Sequence, residues 1–141
     1  MSTAIRLAEP GDAEDIRELL TELGYHIASH HVREVLATSS RDNDPVFVAL
    51  SNDTVVAMLA LHVARWIQLE KPIARIPAMI VQSQYQRSGI GRRLLEHALG
   101  HARSLGCGTI ELTSANDRSD AHAFYRGMGF EQNSLRFKRT L

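Results

Sequence analysis

Two glycines, Gly89 and Gly91, stand between an apolar run that ends at Val81 and a leucine-rich stretch that begins at Leu94. Glycine lets a backbone close on a ligand without a Cβ in the way. A helix starting there leaves its first N–H groups unpaired, with the positive end of its dipole behind them. The combination suits phosphate, and Arg87, Arg92 and Arg93 add charge. The same glycines would equally serve close packing of helix on strand. Two nucleotide motifs can be compared directly. A P-loop ends in Gly-Lys-Ser/Thr, a tripeptide this chain lacks. A dinucleotide fingerprint has a third glycine where Leu94 stands, although Glu111 lies at a plausible distance for a ribose carboxylate, and too little chain follows for that fold.

A second block, residues 112–130, joins a polar loop to Ala121, Phe124, Tyr125 and Met128 at helical spacing, followed by Gly129-Phe130. A phenol has an ordinary pKa of about 10 and is protonated at neutral pH, so Tyr125 has a proton to give. Its position beside Phe124 also fits a core aromatic. Asn116 can cap this helix or offer its amide to a ligand.

These residues need a frame. Ile5 and Leu7 suggest a short strand, and Asp12 a cap for a helix carrying Ile16, Leu19, Leu20 and Leu23, stopped by Gly24. A second helix is expected over residues 30–38. Strands are expected over 46–50 and 54–63, joined by a turn at 51–53, the second apolar enough to be covered on both faces. A strand over 73–81 must bulge or lose a partner at Pro77, which has no N–H. A long helix from Ile90 to a stop at Gly106, a strand over 109–113, a helix over 119–128 and a last strand over 135–139 complete the order β-α-α-β-β-β-α-β-α-β. Early hairpins and a late β-α-β-α run predict an α/β fold with a mixed central sheet and helices on both faces.

The segment Gln86-Arg87-Ser88-Gly89-Ile90-Gly91 resembles the acetyl-CoA loop of the GNAT N-acetyltransferases, written Arg/Gln-x-x-Gly-x-Gly/Ala. The apolar strand before it, the Leu94-Leu95 pair after it and the Ala-x-x-Phe-Tyr…Gly-Phe block are similar to that family too. The resemblance covers nearly the whole chain, with residues 7–41 matching only in general pattern. It implies one GNAT-type domain over residues 1–141, with splayed parallel strands at the CoA site. It implies that Met79, Ile80 and Val81 contact pantetheine, that Gln86, Arg87, Ser88, Gly89, Ile90, Gly91 and Arg92 hold the pyrophosphate, and that Asn116 bonds the pantetheine arm. It makes acetyl-CoA the cosubstrate, a small-molecule or peptide amine the acceptor, and Tyr125 the general acid for the departing thiolate. Many members carry a base carboxylate on the strand before the loop, whereas residues 73–81 contain no acid. Glu70 and His62 are the base candidates, and a water chain is a third route. The missing carboxylate also leaves open a non-catalytic acyl-CoA-binding sensor or regulatory module. A homodimer is compatible with the family.

Bulk properties narrow the field. The formal net charge is +0, which offers no broad basic face for nucleic acid. The apolar fraction is 44%, enough for a core without metals or staples. One cysteine, Cys107, permits no internal disulfide and is expected to be a buried thiol. The N-terminus has no signal-peptide pattern and the longest apolar run is too short for a membrane span, so a cytoplasmic protein is expected. His26, His30 and His31 cluster, and His97 with His101 has one-turn spacing on what is expected to be a solvated face. Neither group carries companion Cys or carboxylate ligands, so no metal is expected. Tyr25 and Trp66 are candidates to line an acceptor pocket.

Overall fold

The structure is a computed structural model that describes residues 3–114 and 119–141. Its elements are β1 (Thr3–Leu7), α1 (Ala13–Glu22), α2 (Ser29–Thr38), β2 (Val46–Ser51), β3 (Thr54–Ala64), β4 (Ile73–Val81), α3 (Ile90–Ser104), β5 (Thr109–Leu112) and α4 (Ser119–Gly127). The strands form one mixed sheet in the order β1-β2-β3-β4-β5. The first three pairings are antiparallel and the β4–β5 pairing is parallel. A helix of connecting chain, α3, is what a parallel pair requires.

The β2–β3 hairpin turns at Asn52 (φ 50°) and Asp53 (φ 67°), two residue types that tolerate the left-handed region a tight hairpin demands. The unbroken apolar run of β3 follows from burial on both faces. Leu59 and Leu61 join Leu94, Leu95 and Ala98 of α3 on one side, while Val55 and Met58 join Ile16, Leu19 and Val32 on the other. Leu94 and Leu95 are wholly buried, and each such side chain contributes about 1.5–3 kcal/mol. Helix α3 ends where Gly106 takes φ 79°, its N–H bonding Arg103 O (3.0 Å) and the Cys107 N–H bonding Ala102 O (3.1 Å). Cys107 is half-buried, and that burial pushes its thiol pKa up. No helix among the described residues is long and apolar enough to cross a membrane.

Three expectations need correction. Asp12 does not cap α1 through its side chain. A 3-10 turn, Pro10–Asp12, precedes the helix, so Asp12 is already in helical conformation and its carboxylate points back. There it accepts the Glu9 N–H (2.8 Å) and two bonds from Arg6, at 2.8 and 3.0 Å. His97 is exposed as expected, whereas His101 is half-buried. Both rings meet Phe47 edge-on, with centroids at 4.7 and 5.5 Å, and His101 Nε2 lies 2.9 Å from Asp42 O. Residues 135–139 form no strand. Leu135 and Phe137 alternate with Arg136 and Lys138 as a strand's residues would, yet both stand in solvent. Alternation makes a segment able to pair, but without a neighbouring ladder it has nothing to bury its apolar side against.

Candidate active site

The site begins where the sheet comes apart. On the β3 side, the register of β4 shifts between Ala60↔Ala78 and His62↔Arg75, so an extra β4 residue is accommodated around Ile76 and Pro77. This is the bulge that proline's missing donor predicts. On the β5 side, pairing runs from Ile73↔Thr109 to Ile76↔Leu112 and stops. Among the described residues, β4 from Pro77 to Val81 pairs with β3 alone, leaving on its other edge a slot where the β5 ladder has stopped.

Alternation along β4 decides which groups face that slot. Gln82 N–H bonds Val56 O at 2.8 Å, which makes 82 and 56 a hydrogen-bonded pair. By the antiparallel rule, Ile80↔Met58 and Ala78↔Ala60 are also bonded pairs. Met79 and Val81 therefore turn their backbone N–H and C=O toward the slot. Ile80 spends its own on β3 and buries its side chain under α1 and α2. Gln86 folds back, its side-chain amide donating to Val81 O at 3.2 Å, which independently marks that carbonyl as facing away from β3.

The strand edge runs into the glycine loop through a 3-10 turn, Ser83–Tyr85. Arg87 has φ 62°, and Ser88 Oγ donates to Tyr85 O, tightening the turn. Gly89 is the N-cap of α3 with φ 86°, and a Cβ placed on it would meet nothing within 4 Å. The first α3 bond reaching back to the cap is Arg93 N–H to Gly89 O at 3.1 Å. The amides of Ile90, Gly91 and Arg92 precede it and have no carbonyl upstream within the helix to take them. Open space over Gly89, unclaimed amides and a dipole end fit a diphosphate, and the free β4 edge fits an amide-bearing arm. Arg92 lies beside them with its Nε on Glu96 at 3.1 Å, an exposed pair.

Gly91 answers the packing reading of the glycines. A Cβ there would lie 3.4 Å from Val81, 3.6 Å from Phe124 and 3.7 Å from Met79. These are ordinary contact distances, so α3 lies against β4 and α4 at Gly91 without requiring a glycine there, while Gly89 supplies the turn. Tyr125 follows Phe124 on α4, half-buried, with its ring edge-on to Phe124 (5.4 Å) and Phe130 (5.8 Å). Asn116 lies outside the described residues.

Glu70 sits on the exposed loop leading into β4, at the end remote from the glycine loop. His62, on β3, holds its Nδ1 2.5 Å from Asp44 Oδ1 and is about half exposed. Glu111 pairs with Arg75 across β4 and β5, so the carboxylate weighed for a ribose is engaged in the sheet. No group of three or more His, Cys, Asp or Glu side chains is placed to hold a metal among the described residues.

On the α1–α2 side lies a groove of about 340 Å³ that reaches Pro77 and Ala78. Tyr25 lines it together with Leu20, Ile27, His31 and Val35. Because its lining comes from α1, the loop after it, α2, β2, β3 and β4, only tertiary structure assembles it.

Together these features define an α/β domain in which an unpaired strand edge runs into a glycine-rich helix terminus. The chain belongs to the GNAT acetyltransferase family, whose pattern it matches over residues 13–130. It is 30% identical over 139 residues to the aminoalkylphosphonate N-acetyltransferase of Salmonella typhimurium strain LT2, covering 97% of this chain and 90% of that one. It is similar to the structure of a putative acetyltransferase from Agrobacterium tumefaciens C58, with TM-score 0.86 and 26% identity over 98% of this chain and 99% of the other. An aminoglycoside acetyltransferase from an uncultured soil metagenomic sample, solved with sisomicin, shares the fold at TM-score 0.81 and 24% identity, covering 99% and 96% of the two chains.

Proposed function

We propose that this protein transfers the acetyl group of acetyl-CoA to a primary amine. The observation that carries the reading is the continuity between two free backbone surfaces. The slot-facing edge of Met79 and Val81 leads, through residues 82–88, directly to the unclaimed amides at the start of α3. Met79 and Val81 would bond the pantetheine arm, with Ile80 between them fixing the strand on β3. Gln86, Arg87, Ser88, Gly89, Ile90, Gly91 and Arg92 would enclose the diphosphate. Gln86 would give up Val81 O as the arm pairs.

Bound acetyl-CoA supplies a thioester whose carbonyl carbon accepts the amine's lone pair and whose C–S bond then breaks. The chain's part is to hold that carbon at the slot, steady the oxyanion with a β4 amide, and move two protons. Tyr125 gives its phenolic proton to the leaving sulfur. The amine's proton goes to a base directly or through water. His62 is supported by its carboxylate partner, since Asp44 on Nδ1 leaves Nε2 as the accepting atom, and it stands two residues from Ala60 in the groove wall. Glu70 is supported only by its carboxylate, on an exposed loop.

The test has two parts. Acetyl-CoA should raise the melting temperature of the purified protein, whereas NAD and ATP should not, because a ligand that binds only the folded state stabilises it. Free thiol should then be released when a panel of amines is added. Binding without thiol release from any amine would favour an acyl-CoA sensor, and no binding would end both readings.

A further inference from the structure

The groove beside the slot carries information about the acceptor. Its wall is made of Leu20, Tyr25, Ile27, Val35, Met58 and Ala78 with a few aliphatic neighbours, and its ionisable side chains are Tyr25 and His31 among the described residues. Its volume, about 340 Å³, lies in the range of pockets that enclose a small molecule. It reaches the place where the β4–β5 ladder stops, because its lining includes Pro77 of the bulge and Ala78 beside it. The two faces of β4 are thus divided. Met79 and Val81 point their side chains toward Gly91 and α3, whereas Ala78 and Ile80 pack on the α1–α2 side. A molecule in the groove would approach the slot from the face opposite α3.

The charge content of the wall selects among amines. A polycationic acceptor carries several ammonium groups, which need carboxylates when desolvated, and none of the described residues lining the groove is Asp or Glu. An amino-phosphonate carries a dianionic end, which Arg or Lys would hold, and neither is found among the described residues lining the groove. An alkyl or aryl body loses nothing on entering and gains by leaving water.

We propose that the acceptor is a primary amine with an uncharged, apolar body, which lies in this groove with its nitrogen toward Pro77 and Ala78. This inference rests on the acetyl-transfer reading above and narrows it. It separates the chain from relatives whose names specify aminoalkylphosphonates or aminoglycosides.

The experiment compares 2-phenylethylamine and hexylamine with kanamycin and 2-aminoethylphosphonate by thiol release at fixed acetyl-CoA, alongside the melting-temperature shift with acetyl-CoA alone. The apolar amines should exceed the other two in kcat/KM by about tenfold or more, the return on burying several methylene equivalents. Val35 is 42% exposed, so Val35→Asp can place a carboxylate on the groove without disturbing the core. It should raise KM for 2-phenylethylamine about tenfold and leave the acetyl-CoA shift unchanged. Tyr25→Ala, at a 54% exposed position, should raise the same KM by removing part of the wall and serves if Val35→Asp does not fold. Faster turnover of kanamycin or the phosphonate, no turnover of any apolar amine, or unchanged KM in a folded variant would each overturn the proposal while the acetyl-CoA shift stands. Loss of that shift in the unmodified protein would instead remove the acetyl-transfer reading and this inference with it.

Discussion

Arg75 on β4 and Glu111 on β5 are register partners and form an ion pair one rung before the ladder's final pairing, Ile76↔Leu112. The pair closes the joined half of the two strands, and Pro77 then opens the other half. Its position looks structural, yet both side chains are more than a third exposed. Solvent screens such pairs, so Glu111→Gln should cost under about 1 kcal/mol in urea denaturation. It should also leave the acetyl-CoA melting shift unchanged. A loss of acetyl-CoA binding would mean that the ion pair sets the width of the slot.

Pro77 is the stronger determinant of that slot. Pro77→Ala restores an N–H at the bulge and permits the β4–β5 ladder to gain a rung. The expected result is a weaker acetyl-CoA complex, with Kd raised several-fold, as about 1 kcal/mol of added pairing must be undone on binding. Titration calorimetry measures this directly. Equal affinity in both proteins would show that the splay is maintained without the proline.

Gly89 and Gly91 should respond differently to alanine. Gly89 has φ 86°, which costs an alanine about 1–2 kcal/mol even though the space around it is open. Gly91 has no such φ, and a Cβ there meets its neighbours at 3.4 Å or more, which is ordinary contact. Thermal denaturation should therefore rank Gly89→Ala well below Gly91→Ala. The reverse order would mean that helix packing at Gly91, rather than the turn, limits this loop.

The Arg6–Asp12 pair gives a pH signature. The guanidinium holds the Asp12 carboxyl below the usual carboxylate range, assisted by the Glu9 N–H and opposed by burial. A carboxylate with a depressed folded-state pKa contributes stability above its unfolded value, about 4, and loses it as pH falls through the lower folded value. Asp12→Asn should thus destabilise the protein by about 1–3 kcal/mol at pH 7, since a nearly buried, charge-assisted set of bonds is lost. The gap between the two proteins should narrow below pH 4. A gap of constant size down to pH 2 would assign the effect to shape rather than charge.

Much of this architecture was legible because local chemistry and tertiary environment agree. Pro77 announced its bulge, Asn52-Asp53 its hairpin, and Gly106 the end of α3. The failures occur where a partner had to be known. Leu135 and Phe137 carry a strand's alternation, but pairing depends on a neighbour that local sequence does not name. Asp12 has a cap's identity, but Arg6 and a 3-10 turn claim its carboxylate. The loop at residues 86–91 could be read from spacing, whereas the groove at Ala78 gathers residues from Ile16 to Ala78 and has no linear signature.

Tyr125 provides the sharpest separation of binding from chemistry. It packs edge-on between Phe124 and Phe130, so phenylalanine preserves its shape and removes only the hydroxyl. If the phenol protonates the departing thiolate, Tyr125→Phe should keep the melting shift with acetyl-CoA and lower kcat near neutral pH by about 10²–10⁴-fold, the usual contribution of a positioned acid. The deficit should be smaller with an acyl donor whose thiol is more acidic, because a better leaving group needs less protonation. Thiol-release rates for the two proteins with acetyl-CoA and such a donor test both points. Unchanged turnover in Tyr125→Phe would make this residue part of the aromatic packing beside the loop and would return the proton to solvent.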